Sequence, residues 1–138
     1  MCLYSVTKTD NIPDGVGYKV FYKTLDKLIT ICKGQTSHYA MDKWYNNKEK
    51  SHSVDIYSAK TTNKKSEYEL GFHLFKTYRD AQIYVMNMGA VRVLQIYKVE
   101  YSDVICEGIQ FSPSGDDQVM DAHLETIVAR NIKLIERW

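Results

Sequence analysis

Proline and glycine are scarce in this chain, at two and seven residues of 138. That excludes collagen-like repeats and Pro/Gly-rich low complexity, and 44% hydrophobic with 25% charged residues describes a chain able to fold around one core. Cysteine is as sparse: Cys2, Cys32 and Cys106 are widely spaced, with no Cys-x-x-Cys pair. An odd, unpatterned set argues against a disulfide framework and for reduced thiols in a cytosol. Long apolar runs are missing as well. No stretch approaches the roughly 20 apolar residues of a membrane span, and the first eight residues lack the apolar core of a secretory leader. The expectation is a cytoplasmic protein without a membrane partner.

Catalytic signatures are also lacking. There is no Gly-x-Ser-x-Gly, no P-loop, no His-Glu-x-x-His and no Gly-x-Gly-x-x-Gly, so serine-hydrolase, phosphate-loop, metalloprotease and Rossmann readings have no local support. His38, His52, His73 and His123 show no paired ligand spacing, and no metal site is expected. A net charge of +1 excludes the basic excess of a protein that holds nucleic acid mainly by counterion release. The average hides a division. Residues 43–65 carry six lysines against Glu49 and Asp55, whereas residues 100–125 carry seven acids and no Lys or Arg. Two solvated regions of opposite bias account for this; an acidic surface that meets a basic partner is the sharper alternative.

What the chain does have is tyrosine, eleven residues beside four Phe and two Trp. Tyr combines a large apolar face with a hydroxyl, which suits half-buried strands and ligand contacts alike. The pattern predicts an opening strand at 2–7, a turn-rich loop at 8–15, and a hairpin from 18–23 to 28–32. Leu25, Leu28, Ile29 and Cys32 fit one face of a short helix equally. Residues 58–67 are polar throughout and read as an exposed loop. Next come a strand at 71–75 and a helix at about 77–88. Its signals are Thr77 with Asp80 as a capping-box variant, a stripe of Ala81, Tyr84, Val85 and Met88, and Gly89 as the stop. Two strands, 91–99 and 104–111, are expected on either side of a polar turn at 101–103. A short helix near 118–125 and a closing strand at about 131–136 complete the chain. This is an α+β domain, a mainly antiparallel sheet of six or seven short strands with one main helix, in a single unit spanning 1–138.

Six residues stand out as a candidate ligand site. Tyr18 and Tyr22 offer stacking faces, with Lys19 beside them for phosphate and glycines before them that let a ligand approach the backbone. His73 shares a strand face with Gly71 and Phe75 if Phe72 and Leu74 turn to the core, so it can border a cleft. Tyr78 and Tyr84 lie on the helix that follows. Asp116 and Asp117, and Glu67 with Glu69, are acid pairs that read as solvated.

Met1-Cys2-Leu3, Gly17-Tyr18-Lys19-Val20, Gly71-Phe72-His73-Leu74-Phe75 and the helical Asp80-Ala81 together resemble a family of small uncharacterised proteins of bacteria and their phages. More distantly, the layout resembles the ADP-ribosyltransferase fold. That resemblance implies Tyr18 and Lys19 in the first NAD-contacting motif, and His73, Tyr78 and Tyr84 in the second. Glu107 is the nearest candidate for the third. The usual Arg or His of the first motif is absent at 18–20, and no glutamate is clearly placed for the third. The expectation is a phage or mobile-element protein that acts by binding, inhibiting a host defence protein or sequestering a nucleotide-like ligand, and that needs no cofactor. An NAD-using enzyme and a structural homo-oligomer built through an exposed strand edge are the alternatives.

Overall fold

The computed structural model describes residues 3, 5–23, 28–30, 36–37, 39–46, 53–55, 67–69, 71–89, 93–112 and 122–138. Among them the chain forms β1 (Ser5–Lys8), β2 (Gly15–Lys23), β3 (Leu28–Thr30), β4 (Thr36–Ser37), β5 (Trp44–Asn46), β6 (Ser53–Asp55), β7 (Glu67–Glu69), β8 (Phe72–Phe75), the helix α1 (Tyr78–Met88), β9 (Leu94–Ser112) and β10 (Ala122–Arg137). Among the described residues the architecture is a mostly antiparallel sheet with one helix, in line with the α+β class that composition and pattern predict. No helix among the described residues is long and apolar enough to cross a membrane.

The expected partition into short strands gives way to two long ones, β9 of 19 residues and β10 of 16. The turn expected at 101–103 lies inside β9. Asp103 takes a left-handed φ of 55° there, a conformation that Asp tolerates better than most residues. It stays in the ladder because Arg130 Nη1 donates to its carboxylate at 2.9 Å and its own N–H reaches the Asp14 carboxylate at 3.1 Å. The β9–β10 register shifts nearby: Val128 pairs with Cys106 and Ala129 with Val104. Such a bulge bends both strands.

The tail also differs from expectation. Residues 118–121 of the expected short helix lie outside the described residues, and 122–125 are strand, opening a β10 that continues unbroken to Arg137. Val128 and its neighbours Ile127 and Ala129 are all buried, since both faces of the strand are covered there. A doubly covered strand yields an apolar run without alternation, which resembles helical spacing. The loop expected at 58–67 falls outside the described residues except for Glu67, which begins β7 and pairs with Asp55 of β6. The β2–β3 hairpin forms with Tyr22 opposite Ile29.

Closure positions everything else. One edge of β9 pairs with β10 along most of its length, while the other edge pairs first with β2 and then with β1. The far edge of β10 takes β8 at 126–129 and β5 at 131–133. β8 meets β2 through Tyr18 opposite Phe75. β9, β10, β8 and β2 therefore form a closed circuit. Inside it pack Phe21, Phe72, Leu74, Val99, Ile127, Ala129, Ile132 and Leu134. On the outer face, α1 lays Ala81, Tyr84 and Val85 against Val20, Phe75, Leu94, Ile96 and Leu124.

Helix α1 has the ends its sequence announces. Thr77 is the N-cap, extended at φ −126°, ψ 152°, and its hydroxyl accepts from the Asp80 N–H at 3.1 Å. Gly89 closes the helix at φ 68°, its N–H bonded to the Met86 carbonyl at 3.1 Å.

Candidate functional site

Alternation along β2 divides the three candidate residues it carries, Tyr18, Lys19 and Tyr22. Phe21 belongs to the inner packing, whereas Tyr18, Val20 and Tyr22 belong to the outer packing around α1. Lys19 shares the inward side of Phe21 and is 3% exposed. Its Nζ donates to the His73 carbonyl at 2.7 Å and stands 5.5 and 5.9 Å from the Phe21 and Phe72 ring centroids. Lys19 thus ties β2 to β8 within the closed circuit. His73 is buried at 7%, with Nδ1 3.2 Å from the Gly71 carbonyl. Tyr84 is buried against Phe75, their centroids 5.2 Å apart. These three side chains lie in the interior and do not converge with the others on one cleft.

Tyr18 and Tyr78 do meet. Their ring centroids are 5.7 Å apart at 60°, where the outer face of β2 passes the first residue of α1. A third ring completes the group. Trp138 lies 4.9 Å from Tyr78 and 5.8 Å from Tyr18, in an edge-on arrangement with the latter. Its backbone is anchored on both sides: the Trp138 N–H donates to the Ile96 carbonyl at 2.9 Å, and Gln95 Nε2 donates to the Trp138 carbonyl at 2.6 Å. Trp138 is nonetheless 47% exposed, with Tyr18 and Tyr78 half-buried behind it. Tyr22 lies four residues along β2, about 13 Å away, and packs toward α1. Trp138 is absent from the sequence-based set because it lies beyond the closing strand expected at about 131–136 and far in sequence from Tyr18 and Tyr78, so only the fold brings the three rings together.

The charged groups gather elsewhere. Lys76, just past β8, is paired with Glu107 of β9. The hydrogen bond to Glu107 raises the Lys76 pKa above the usual lysine value, with burial opposing it. Tyr101 lies in the field of both, and burial raises its phenol pKa. Asp80 accepts from the Glu125 N–H at 3.2 Å, yet burial holds its pKa above the usual carboxylate value. Glu107, the residue that an ADP-ribosyltransferase resemblance would require as its third-motif carboxylate, is paired with Lys76. Burial also pushes the Cys106 thiol up to about 12, which leaves it protonated and unreactive near neutrality. Among the described residues no group of three or more His, Cys, Asp or Glu could hold a metal ion.

The arrangement offers a rigid aromatic surface, half open to solvent, rather than a set of polar groups aimed at one reacting atom. Opposite Tyr18 in register, on the same outward face, is Lys98. Comparison with protein-family models, curated proteins and solved structures finds no match.

Proposed function

We propose that the protein is a small binding protein that takes a planar, nucleotide-like ligand on the surface of Tyr18, Tyr78 and Trp138, and sequesters it without turning it over. The observation that carries this reading is the meeting of three rings from separate parts of the chain around a half-exposed indole. Every nucleobase has a π-face, so such a surface binds bases with little sequence preference, at about 1–3 kcal/mol per stacked base. Lys98, in register with Tyr18, supplies a cation on the same face for a phosphate. On the resemblance to phage-borne proteins, the consequence is inhibition of a host process, such as a defence response, that depends on the captured nucleotide. Binding is better supported than the NAD-transferase alternative because that alternative needs Lys19, His73 and Glu107 at a ligand, and these are buried or committed within the fold.

Fluorescence tests the proposal directly, because Trp44→Phe leaves Trp138 as the sole indole. Titration of that variant with purine mononucleotides, cyclic nucleotides and NAD is expected to give saturable quenching with at least one. An added Tyr78→Ala should abolish it. NAD incubated with the wild type should be recovered intact by chromatography. No quenching across the panel overturns the binding surface, and consumption of NAD overturns the non-catalytic reading.

A further inference from the structure

Beyond the cover of α1, the outer face of the sheet carries a pattern that neither the aromatic group nor the core explains. Val16 of β2 pairs with Glu100 of β9, Glu100 with Lys133 of β10, and Lys133 with Trp44 of β5. Directly paired residues point to the same side of a sheet, so these four form one transverse row. Its side chains touch: Lys133 Nζ is 3.3 Å from Glu100 Oε2 and 5.4 Å from the Trp44 ring centroid. The next outward pair toward Tyr18 is Lys98 with Glu136. The row ends in two exposed apolar side chains, Val16 at 45% and Trp44 at 46%.

The four charges make a checkerboard. On β9 the order along the strand is Lys98 then Glu100; on β10 the residues opposite them are Glu136 then Lys133. Rotating a copy of this face about a two-fold axis that runs along the strands exchanges the β9 and β10 columns. Lys98 then faces Glu136 of the copy, and Glu100 faces Lys133 of the copy. The same rotation brings Val16 onto Trp44 of the copy at both margins. We infer that this outer face, Val16–Glu100–Lys133–Trp44 with Lys98 and Glu136, is the contact of a homodimer with its two-fold axis along β9 and β10. The interface is isologous, since one patch serves both subunits. A mixed, net-neutral charge pattern complementary to itself selects a second copy over a strongly acidic or basic partner. The patch is four strands wide at about 4.8 Å spacing. This is small beside the roughly 800 Å² per partner of a stable complex, so the dimer is weak and depends on concentration. The patch shares Lys98 with the nucleotide reading but does not rest on it: its central pair, Glu100 with Lys133, and its margins, Val16 and Trp44, include none of the three rings, and the variants below leave Lys98 in place.

Sedimentation velocity over a micromolar concentration series, without nucleotide, tests it. Wild-type mass is expected to rise from monomer toward dimer with concentration. Lys133→Glu should keep the protein monomeric, while the exchange Lys133→Glu/Glu100→Lys should restore association, because each charge again meets its opposite across this axis. A two-fold axis perpendicular to the strands would instead set like charges together in the exchanged variant. Circular dichroism verifies folding, and if Lys133→Glu fails to fold, Val16→Lys at the exposed margin carries the test with the same expected loss of dimer. A wild type that stays monomeric throughout overturns the inference. So does a folded Lys133→Glu or Val16→Lys that dimerises like the wild type, or an exchanged variant that remains monomeric.

Discussion

At single residues, the fold depends on close approaches that a sequence pattern states only indirectly. Gly17 faces the interior of the closed circuit one residue before the single β2–β8 register pair. A Cβ at this position would lie 2.4 Å from Leu74 Cδ1 and 2.7 Å from the Phe75 carbonyl oxygen. The leucine tip can yield, but the carbonyl is part of β8, so Gly17→Ala must push β2 away from β8. Overpacking of this kind costs about 1–3 kcal/mol. We expect Gly17→Ala to lower stability by that amount in urea titration, whereas Val16→Ala, at an exposed neighbour, should leave it nearly unchanged. The sequence flags the glycine before Tyr18 as room for a ligand; the structure fills that room with protein. Lys19 shows the same limit. Its place beside two tyrosines suggests phosphate contact, but β alternation turns it inward, where the His73 carbonyl accepts its proton donor. Alternation alone separates Lys19 from Tyr18 and Tyr22; which face is the interior depends on partners far away in the chain.

Among the elements, α1 is the most legible because its determinants are local. Thr77, the Ala81-Tyr84-Val85 stripe and Gly89 all act within about one turn of where they lie, and the structure uses each; the exception is the Asp80 carboxylate, which accepts from the Glu125 N–H of β10 instead of reaching back to Thr77 to complete a capping box. Two end substitutions probe this. Thr77→Ala removes the acceptor for the Asp80 N–H, with an expected loss of about 1 kcal/mol. Gly89→Ala meets no steric neighbour, since nothing lies within 4 Å of its Cβ position. Its cost, also about 1 kcal/mol, comes from the left-handed φ alone. Urea midpoints of the two variants should therefore shift by similar amounts for different reasons, and a Gly89→Asn variant, which tolerates that φ better, should recover part of the loss. β9 is less legible for the converse reason. Ser102 and Asp103 carry turn chemistry, and Asp103 does adopt a turn-like φ. The neighbours that keep it in a strand, Asp14 and Arg130, are remote in sequence. Closure of β9, β10, β8 and β2 also depends on long-range pairing, since β2 meets both β8 and β9 far along the chain.

At the scale of the whole molecule, five groups among the described residues hold protons in the fold to higher pH than they would unfolded. Burial, followed by the nearby Tyr45 phenol, raises the Tyr39 pKa from 10.0 to about 12. Burial also raises the Tyr101 phenol above 10.0 and the Cys106 thiol from 9.0 to about 12. The hydrogen bond to Glu107 raises Lys76 above 10.5. All four groups keep their protons to higher pH folded than unfolded, so between the two values the native state binds more protons and stability falls as pH rises. Their contribution is complete below pH 9.0, the ordinary thiol value, and declines as pH passes from there through about 12. Asp80 has the same sign at the acid end: its pKa is raised from 3.8, so its contribution is present below that value and is lost as pH climbs through the folded one. It therefore adds nothing that acid would remove. Urea midpoints should vary little with these groups from pH 6 to 8 and drop steeply above pH 9.0, where the thiol begins to count. Phenolate absorbance offers a second reading of the same linkage. A fraction of the tyrosines, Tyr39 foremost, should ionise late in the native protein and at the ordinary pH in urea, and Cys106 should resist thiol reagents until the chain unfolds. Midpoints that hold steady through pH 11, or a single normal tyrosine titration, would show that the interior around Tyr39 and Cys106 is open to water, contrary to the closed circuit described above.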